Sequence, residues 1–233
     1  MRYIVSDIHG CYAEYRALLE KIRFSGDDTL YVLGDAMDRG PEPIRVIRDL
    51  MDRPNVYYIL GNHDDMMLQV MEVLAQDVQE KALTRLTPQF MEGYNHWLRE
   101  GGAVTAEQFR KLSREERLDI LDYLRDAPGY ELAEEGDHLF VMVHGGLGNF
   151  HPDRELDDYS LPELIWERPD YTRQYFPGSR ITLVTGHTPT PLIREDRQPL
   201  VYKAQGHLAL DCGCVFGGAL AAYCLETDQV TYV

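Results

Sequence analysis

The stretch that decides the fold runs from residue 30 to residue 40 and reads Leu30-Tyr31-Val32-Leu33-Gly34-Asp35-Ala36-Met37-Asp38-Arg39-Gly40. A short hydrophobic run of β-strand character is followed at once by a glycine-flanked turn that carries two carboxylates and an arginine. Glycine allows the backbone to turn tightly at such a point, so that charged side chains can converge there. Ligands collect outside the carboxyl ends of strands in open α/β sheets. The stretch therefore predicts a sheet strand that delivers chemically active side chains at its end.

The same arrangement recurs at four further places in the chain. Residues 3–5, 56–60, 139–143 and 181–184 are short apolar runs, and each leads into a glycine-flanked turn with Asp, Asn or His. Between the early runs, residues 11–24 and 43–51 repeat apolar side chains at helical spacing, which predicts βαβ units and a mainly parallel sheet. A polar residue after a single strand is also typical of a helix cap or a turn. Five such turns in order indicate a common site.

The middle of the chain has a different pattern from its two ends. Apolar side chains recur mostly at helical spacing from residue 64 to about residue 125, and Ser113 and Glu116 predict a capping box. We interpret residues 64–130 as a helical insertion in a single domain that spans residues 1–233. From residue 132 onwards short apolar runs return without long helices between them, which favours an antiparallel or mixed sheet. The expected fold class is α/β.

The composition excludes several classes of protein. The 233 residues include 23 Lys and Arg against 39 Asp and Glu, which gives a net charge of −16. A polyanion would be repelled on average, so no nucleic-acid partner is expected, whereas carboxylates remain available to bind cations. No run approaches the ~20 apolar residues of a membrane span, and the first residues lack a secretory-signal pattern. The four cysteines, Cys11, Cys212, Cys214 and Cys224, show no zinc spacing, and we expect reduced thiols in a cytoplasmic protein.

The side chains in the five turns are suited to divalent cations. Imidazole, carboxylate and amide oxygen are ligands of ions such as Mn²⁺, Fe²⁺ and Zn²⁺. Six such groups in the five turns are enough to bind two ions. Four further histidines do not follow a strand in this way and are interpreted as structural: His96, His138, His151 and His207.

Taken in order, the turns resemble the motifs of the calcineurin-like metallophosphoesterases, in their phosphoprotein phosphatase branch. That family has D-x-H, G-D-x-x-D-R-G, G-N-H followed by an acidic residue, H-G or H-A, and G-H, and all five occur here. Residues 95–98, 165–168 and 186–189 look like the small bacteriophage-lambda-type and bacterial serine/threonine protein phosphatases. The resemblance implies a four-layer fold, in which two mixed β-sheets form a sandwich flanked by helices.

The resemblance also implies a centre of two divalent ions, with Mn²⁺ expected and Fe or Zn as alternatives. Asp7, His9 and Asp35 would bind the first ion. Asp35 would bridge to the second ion, whose remaining ligands would be Asn62, His144 and His187. Two ions ~3.5–4 Å apart can make a bridging water nucleophilic near neutral pH. Direct attack by that bridging hydroxide, without a phosphoenzyme, is the implied reaction.

Four further residues have roles that the resemblance implies. His63 would be the general acid that protonates the leaving group, and Asp38 would orient its imidazole. Arg39 and Arg168 would hold phosphate oxygens together with Asn62, because a guanidinium offers planar donor pairs that match a phosphate group.

Two substrate classes stay open. The intact motif at Asp38 favours phosphomonoesters, and the expected activity is hydrolysis of phosphoserine or phosphothreonine in proteins. Protein phosphatases often have Glu where this chain has Asp64, and symmetrical diadenosine tetraphosphate hydrolases have Asp there. Residues 210–218 also look like the corresponding segment of those hydrolases. Dinucleoside polyphosphate hydrolysis is therefore the alternative, and a non-catalytic phosphate-binding scaffold is a third. The expected partner is a phosphorylated protein or a small phosphoester, with no membrane partner, and the sequence leaves the oligomeric state open.

Overall fold

Ten strands form two five-stranded sheets in a computed structural model of the chain, which describes residues 1–75 and 87–233. The strands are β1 (Arg2–Val5), β2 (Thr29–Val32), β3 (Val56–Tyr58), β4 (Tyr130–Glu135), β5 (His138–Val143), β6 (Ile181–Thr185), β7 (Tyr202–Ala204), β8 (His207–Ala209), β9 (Ala221–Cys224) and β10 (Gln229–Tyr232). The α-helices of the described residues are α1 (Tyr12–Lys21), α2 (Pro43–Met51), α3 (Asn62–Ala75), α4 (Pro88–Trp97), α5 (Ala103–Phe109), α6 (Arg114–Asp126) and α7 (Leu161–Ile165).

Both sheets are mixed, and each has a parallel centre. The strand order is β10-β9-β1-β2-β3 in the first sheet and β4-β5-β6-β8-β7 in the second. Strands β1, β2 and β3 run parallel, as do β5, β6 and β8, whereas the remaining pairings are antiparallel. The mixed sheets expected from the sequence are thus confirmed. The C-terminal strands do not all join the second sheet, however, because β9 pairs with β1, with Tyr3 opposite Cys224.

Alternation along the strands creates the layers. Successive side chains of a strand point to opposite faces of its sheet. In β1, Ile4 packs into the core between the sheets while Val5 packs on the outer core, and in β6, Val184 and Leu183 divide in the same way. Helices α1, α2, α3 and α6 cover the outer face of the first sheet, and residues around α7 cover the outer face of the second. The sequence-based expectation of a four-layer sandwich is confirmed.

One strand boundary differs from the expectation because a backbone amide forms its hydrogen bond outside the sheet. Strand β3 ends at Tyr58 and not at residue 60, because the amide of Leu60 bonds the carbonyl of Pro128 at 2.9 Å. The capping box is confirmed, since Ser113 and Glu116 exchange side-chain to backbone hydrogen bonds at the start of α6.

Within the segment expected as a helical insertion, residues 64–130, the described residues form helices up to Asp126, and β4 begins at Tyr130. Residues 76–86 of that segment lie outside the described residues. Among the helices that are described, none has the length and apolar character needed to cross a membrane.

The first prediction concerns the close approach of two turns. A Cβ atom at Gly61 would lie 2.1 Å from Oδ1 of Asp35 and 2.5 Å from its backbone nitrogen, so the turn after β2 would have to move. We expect Gly61→Ala to lower the free energy of unfolding by roughly 1–3 kcal/mol, the usual cost of overpacking. Gly93→Ala is the matched control, because nothing lies within 4 Å of its added Cβ inside α4.

Replacing a helical glycine with alanine should raise the free energy of unfolding at Gly93 by about 0.5–1 kcal/mol. Urea denaturation followed by circular dichroism measures both variants. Equal stability of the two variants would contradict the close packing of Gly61 on Asp35.

Candidate active site

Six residues that follow strands have backbones in the left-handed region. Their φ angles lie between 45° and 67°, and the residues are Asp7, His9, Asp35, Asp38, Arg39 and His187. A residue other than glycine pays roughly 1–2 kcal/mol for this conformation. Such strain persists only where the surrounding structure holds it, and it clusters at functional sites. The turns after β1, β2 and β6 are therefore bent sharply enough to bring these side chains to one place.

Asp35 is the common member of two groups of potential metal ligands. Donor atoms of Asp7, Asp35 and His144 lie within 4.8 Å of one another, and so do those of His9, Asp35 and His63. Oδ2 of Asp35 lies 3.5 Å from Nε2 of His9 and 3.4 Å from Nε2 of His144. The first sheet and the second sheet thus both contribute ligands around one carboxylate.

Asn62 and His187 complete the same cluster. Oδ1 of Asn62 lies 2.9 Å from Nε2 of His144 and 2.9 Å from Nδ1 of His187. The backbone amide of His187 donates to the carboxylate of Asp7 at 3.0 Å. All six candidate ligands expected from the sequence therefore lie together, and we call them the ligand cluster.

Backbone carbonyls orient two of the imidazoles. Nδ1 of His9 donates to the carbonyl of Met37 at 2.7 Å, and Nδ1 of His144 donates to the carbonyl of Leu33 at 2.6 Å. A carbonyl can only accept, so Nε2 of each ring keeps its lone pair and faces Asp35. Bonds of this kind fix the tautomer and direction of histidines that bind metals.

The electrostatics of the ligand cluster favour added positive charge. Burial, followed by repulsion from Asp211, raises the pKa of Asp7 well above its ordinary value, and burial with Asp7 and Asp64 does the same to Asp35. Burial lowers the pKa of His9 and His144 well below the ordinary value, so both rings are neutral at pH 7. Buried carboxylates beside neutral imidazoles match the donor set of a divalent cation, and the residues present fit a metal centre.

His63 is paired with a fully buried carboxylate. Nδ1 of His63 lies 2.9 Å from Oδ2 of Asp38, which also accepts a hydrogen bond from Nε1 of Trp97 at 2.7 Å. Oγ1 of Thr105 donates to Oδ1 of Asp38 at 2.6 Å. Trp97 and Thr105 come from the helical segment between β3 and β4, so that segment fixes the orientation of the His63–Asp38 pair. Sequence reasoning assigned neither residue this role.

Arg39 is held by the same helical segment. Its amide bonds the carbonyl of Gly101 at 3.0 Å, and its Nε donates to the carbonyl of Glu100 at 3.3 Å. Its Nη1 lies 2.7 Å from Nε2 of His9, so the guanidinium reaches the ligand cluster. Arg168 lines the same cleft, and its positive charge, after burial, lowers the pKa of His187 to about 4. Both arginines expected from the sequence are therefore at the cluster.

A cleft of about 590 Å³ opens over the ligand cluster. Its polar lining residues are Asp35, Arg39, Asn62, His63, Arg168 and His187. Its apolar lining residues, which we call the apolar wall, are Pro189, Pro191, Leu192, Pro199, Cys212 and Phe216, with three glycines of the loop at 213–218. We refer to this space as the cleft. A lining that combines charged groups with apolar groups suits a substrate that is part phosphate and part apolar.

Comparisons with known proteins agree with this geometry. The family model for calcineurin-like phosphoesterases matches residues 3–233. The chain belongs to this family. A symmetrical bis(5'-nucleosyl)-tetraphosphatase of Shigella dysenteriae is 37% identical over 273 residues, with 99% of this chain and 92% of the relative covered. An asymmetrical bis(5'-nucleosyl)-tetraphosphatase of a Geobacillus species is 27% identical over 248 residues, with 94% and 88% covered.

A solved structure, provisionally described as a diadenosine tetraphosphatase, shares the fold. Its TM-score is 0.67 at 23% identity, and the alignment covers all of this chain and 92% of the other. The calcineurin-like phosphoesterase family uses divalent metal ions to hydrolyse phosphoesters, and the His and Asp groups of the ligand cluster fit this chemistry. The membership expected from the five motifs is confirmed.

Asp64 accepts hydrogen bonds from the backbone of two turns in this phosphoesterase. Its Oδ2 accepts hydrogen bonds from the amides of Asp35 and Gly61, both at 2.9 Å, and from the hydroxyl of Tyr58 at 2.7 Å. The carboxylate therefore ties the turn after β2 to the turn after β3. These contacts give Asp64 a structural role next to the ligand cluster.

Asp211 is the site residue that sequence reasoning missed. It follows the parallel strand β8, as the ligand residues follow theirs, and its Oδ1 accepts from the amide of Gly213 at 2.9 Å. Burial raises its pKa to about 6, and its charge acts on Asp7. The rule that polar residues after parallel strands converge could have identified it.

The second prediction tests the ligand cluster through stability. Asp35→Asn removes a buried negative charge beside Asp7, so we expect the variant to have a higher melting temperature than wild type when divalent ions are removed. Saturating Mn²⁺ should raise the melting temperature of wild type, because an ion at 100 times its dissociation constant adds about 2.7 kcal/mol. The same addition should leave the variant nearly unchanged.

Differential scanning calorimetry and elemental analysis measure these effects. Asp153→Asn is the control, since its carboxylate is exposed at the surface and should respond to Mn²⁺ like wild type. A wild-type protein that neither gains stability nor retains metal under saturating Mn²⁺ would instead favour the non-catalytic scaffold.

Proposed function

We propose that this protein hydrolyses dinucleoside polyphosphates, represented by diadenosine tetraphosphate, at a centre of two divalent ions. The composition of the cleft carries the proposal. One space of about 590 Å³ joins the ligand cluster and two arginines to an apolar wall. A nucleoside polyphosphate has the same two parts, because a highly charged phosphate chain is joined to a planar base. A phosphoserine side chain has only a methylene group beyond its phosphate.

The names of the relatives support this choice of substrate class. The relatives described above are called bis(5'-nucleosyl)-tetraphosphatases, which favours the alternative over the protein phosphatase expected from the motif at Asp38. The net charge of −16 does not oppose a tetraphosphate locally, because Arg39 and Arg168 both face the cleft.

The six residues of the ligand cluster would hold the ions. Asp7, His9 and Asp35 form one set, and Asp35 with Asn62, His144 and His187 forms the other. When bound, the ions supply Lewis-acid chemistry, since they offset charge on phosphate oxygens and make water a better nucleophile. Mn²⁺ is the proposed metal.

The remaining residues of the site would bind phosphate and move a proton. Arg39 and Arg168 donate paired hydrogen bonds to phosphate oxygens, which holds the reacting phosphorus next to the ligand cluster. His63 donates a proton from Nε2 to the leaving oxygen, and Asp38 at Nδ1 stabilises the protonated ring and fixes its direction. Trp97 and Thr105 each donate a hydrogen bond to one oxygen of Asp38, and these bonds hold its carboxylate in the orientation that His63 needs.

A second candidate function is hydrolysis of phosphomonoesters such as phosphoserine. The observation that favours it is the His63–Asp38 pair itself, held at 2.9 Å and supported by two further donors. An alkoxide is a poor leaving group and needs an oriented acid, whereas a nucleotide leaves through a phosphate oxygen that needs less help.

The third prediction compares the two substrate classes. With Mn²⁺, kcat/KM for diadenosine tetraphosphate should exceed that for a phosphoserine peptide by tenfold or more, a barrier difference of about 1.4 kcal/mol. Chromatography of the products identifies the bond that breaks, because symmetrical cleavage gives two ADP and asymmetrical cleavage gives AMP and ATP. A tenfold preference for the peptide would sink the proposal and leave the protein phosphatase in its place.

The fourth prediction tests His63 as the proton donor. His63→Asn should lower kcat on an alkyl phosphate by roughly 10²–10⁴-fold, the usual contribution of general acid catalysis. The loss should be much smaller on p-nitrophenyl phosphate and on diadenosine tetraphosphate, because both have good leaving groups. His151→Asn is the control, since this ring is largely exposed at the surface. Equal losses of His63→Asn on all three substrates would indicate a binding role.

A further inference from the structure

The two most exposed large apolar side chains of the described residues both line the cleft. Phe216 is 66% exposed and Leu192 is 59% exposed, more than any other large hydrophobic side chain whose burial is described, in residues 1–73 and 87–233. Three prolines lie in the same wall: Pro189, Pro191 and Pro199. Single apolar residues at a surface need no explanation, but apolar surface gathered beside charged groups is typical of a binding site.

A tightly bonded turn presents the Phe216 ring. The turn Cys214–Phe216 lies between Gly213 and Gly217, whose φ angles are 72° and 82°. The amides of Phe216 and Gly218 both donate to the carbonyl of Gly213 at 2.9 Å. These two hydrogen bonds fix the base of the turn, and the turn holds the Phe216 ring at the surface.

Arg39 connects the ring to the ligand cluster. Its guanidinium carbon lies 5.4 Å from the centre of the Phe216 ring, and its Nη1 lies 2.7 Å from Nε2 of His9. One guanidinium therefore spans the distance between the ring and the ligand cluster. A group that stacks on the ring would therefore lie close to a phosphate bound by Arg39.

We propose that Phe216 and Leu192 form a platform on which one nucleobase of the substrate stacks; this rests on the proposed function and names the part of the substrate that the apolar wall recognises. A base offers a flat π-surface, which an exposed aromatic ring binds well whatever the identity of the base. The prolines have no backbone N–H group to donate, so the wall favours stacking over reading the edge of the base.

The first experiment compares a substrate that has bases with one that has none. Turnover of diadenosine tetraphosphate and of inorganic tripolyphosphate is measured with Mn²⁺ for wild type, Phe216→Ala and Phe216→Trp. Removing an aromatic ring from a stacked base typically costs about ten- to a hundredfold in affinity. We expect Phe216→Ala to lower the ratio of kcat/KM for the dinucleotide to that for tripolyphosphate at least tenfold, mainly through KM.

Two further variants keep the test specific. Phe216→Trp retains an aromatic face and should restore the ratio. Tyr57→Ala removes an aromatic side chain that is exposed on β3, away from the cleft, and should leave the ratio unchanged. Equal losses on both substrates in Phe216→Ala would overturn the platform, because they would show that the ring only supports Arg39.

A binding measurement separates the platform from the proposed function. Calorimetric titration with Mn²⁺ compares ADP with inorganic pyrophosphate, which lacks the nucleoside. Wild type should bind ADP at least tenfold more tightly, and Phe216→Ala should lose this difference. Equal affinities in wild type overturn the platform even if diadenosine tetraphosphate is hydrolysed. A Phe216-dependent preference for ADP, together with no turnover of diadenosine tetraphosphate, upholds the platform and overturns the proposed function alone.

Discussion

The carboxylate of Asp35 lies where the two sheets meet, and much of the site depends on it. Its Oδ2 faces His9 of the first sheet and His144 of the second, and its Oδ1 accepts from the amide of His63. Burying that charge beside Asp7 is unfavourable unless cations compensate it. Repulsion between these buried carboxylates destabilises the fold without an ion. A bound cation would relieve that repulsion, which favours metal binding.

The helical segment between β3 and β4 has a definite role in this arrangement. Trp97 and Thr105 hold the two oxygens of Asp38, and the carbonyls of Glu100 and Gly101 hold Arg39. Both held residues belong to the turn after β2, whose backbone is left-handed there. This helical segment therefore stabilises a strained turn and, through it, the orientation of His63. Residues far along the chain thus set the geometry of a turn that the first sheet alone would leave unsupported.

The residues around the cleft differ in how strongly they indicate one substrate class over another. As the proposed proton donor, His63 would assist the cleavage of any ester, although an alkoxide leaving group would need it most. Asp64 accepts hydrogen bonds from the backbone of two turns, and these contacts support the fold without indicating a substrate. The apolar wall around Phe216 is the part that a bare phosphate or a small phosphomonoester would leave unused, which is why the proposed substrate carries a base.

The sequence by itself predicted which side chains come together in the ligand cluster, because each follows a parallel strand and the carboxyl ends of such strands meet at one edge. The apolar runs indicated a parallel sheet early in the chain and a mixed sheet later, whereas the two-sheet sandwich was expected only from the resemblance of the motifs. The sequence did not determine that β9 joins the first sheet or that β3 ends at Tyr58, because those outcomes depend on hydrogen bonds to distant residues such as Pro128. The support of Asp38 by Trp97 and Thr105 and the exposure of the Phe216 ring were decided by tertiary structure alone. Residues of these types occur throughout any chain, and only their distances in the folded protein give them a role.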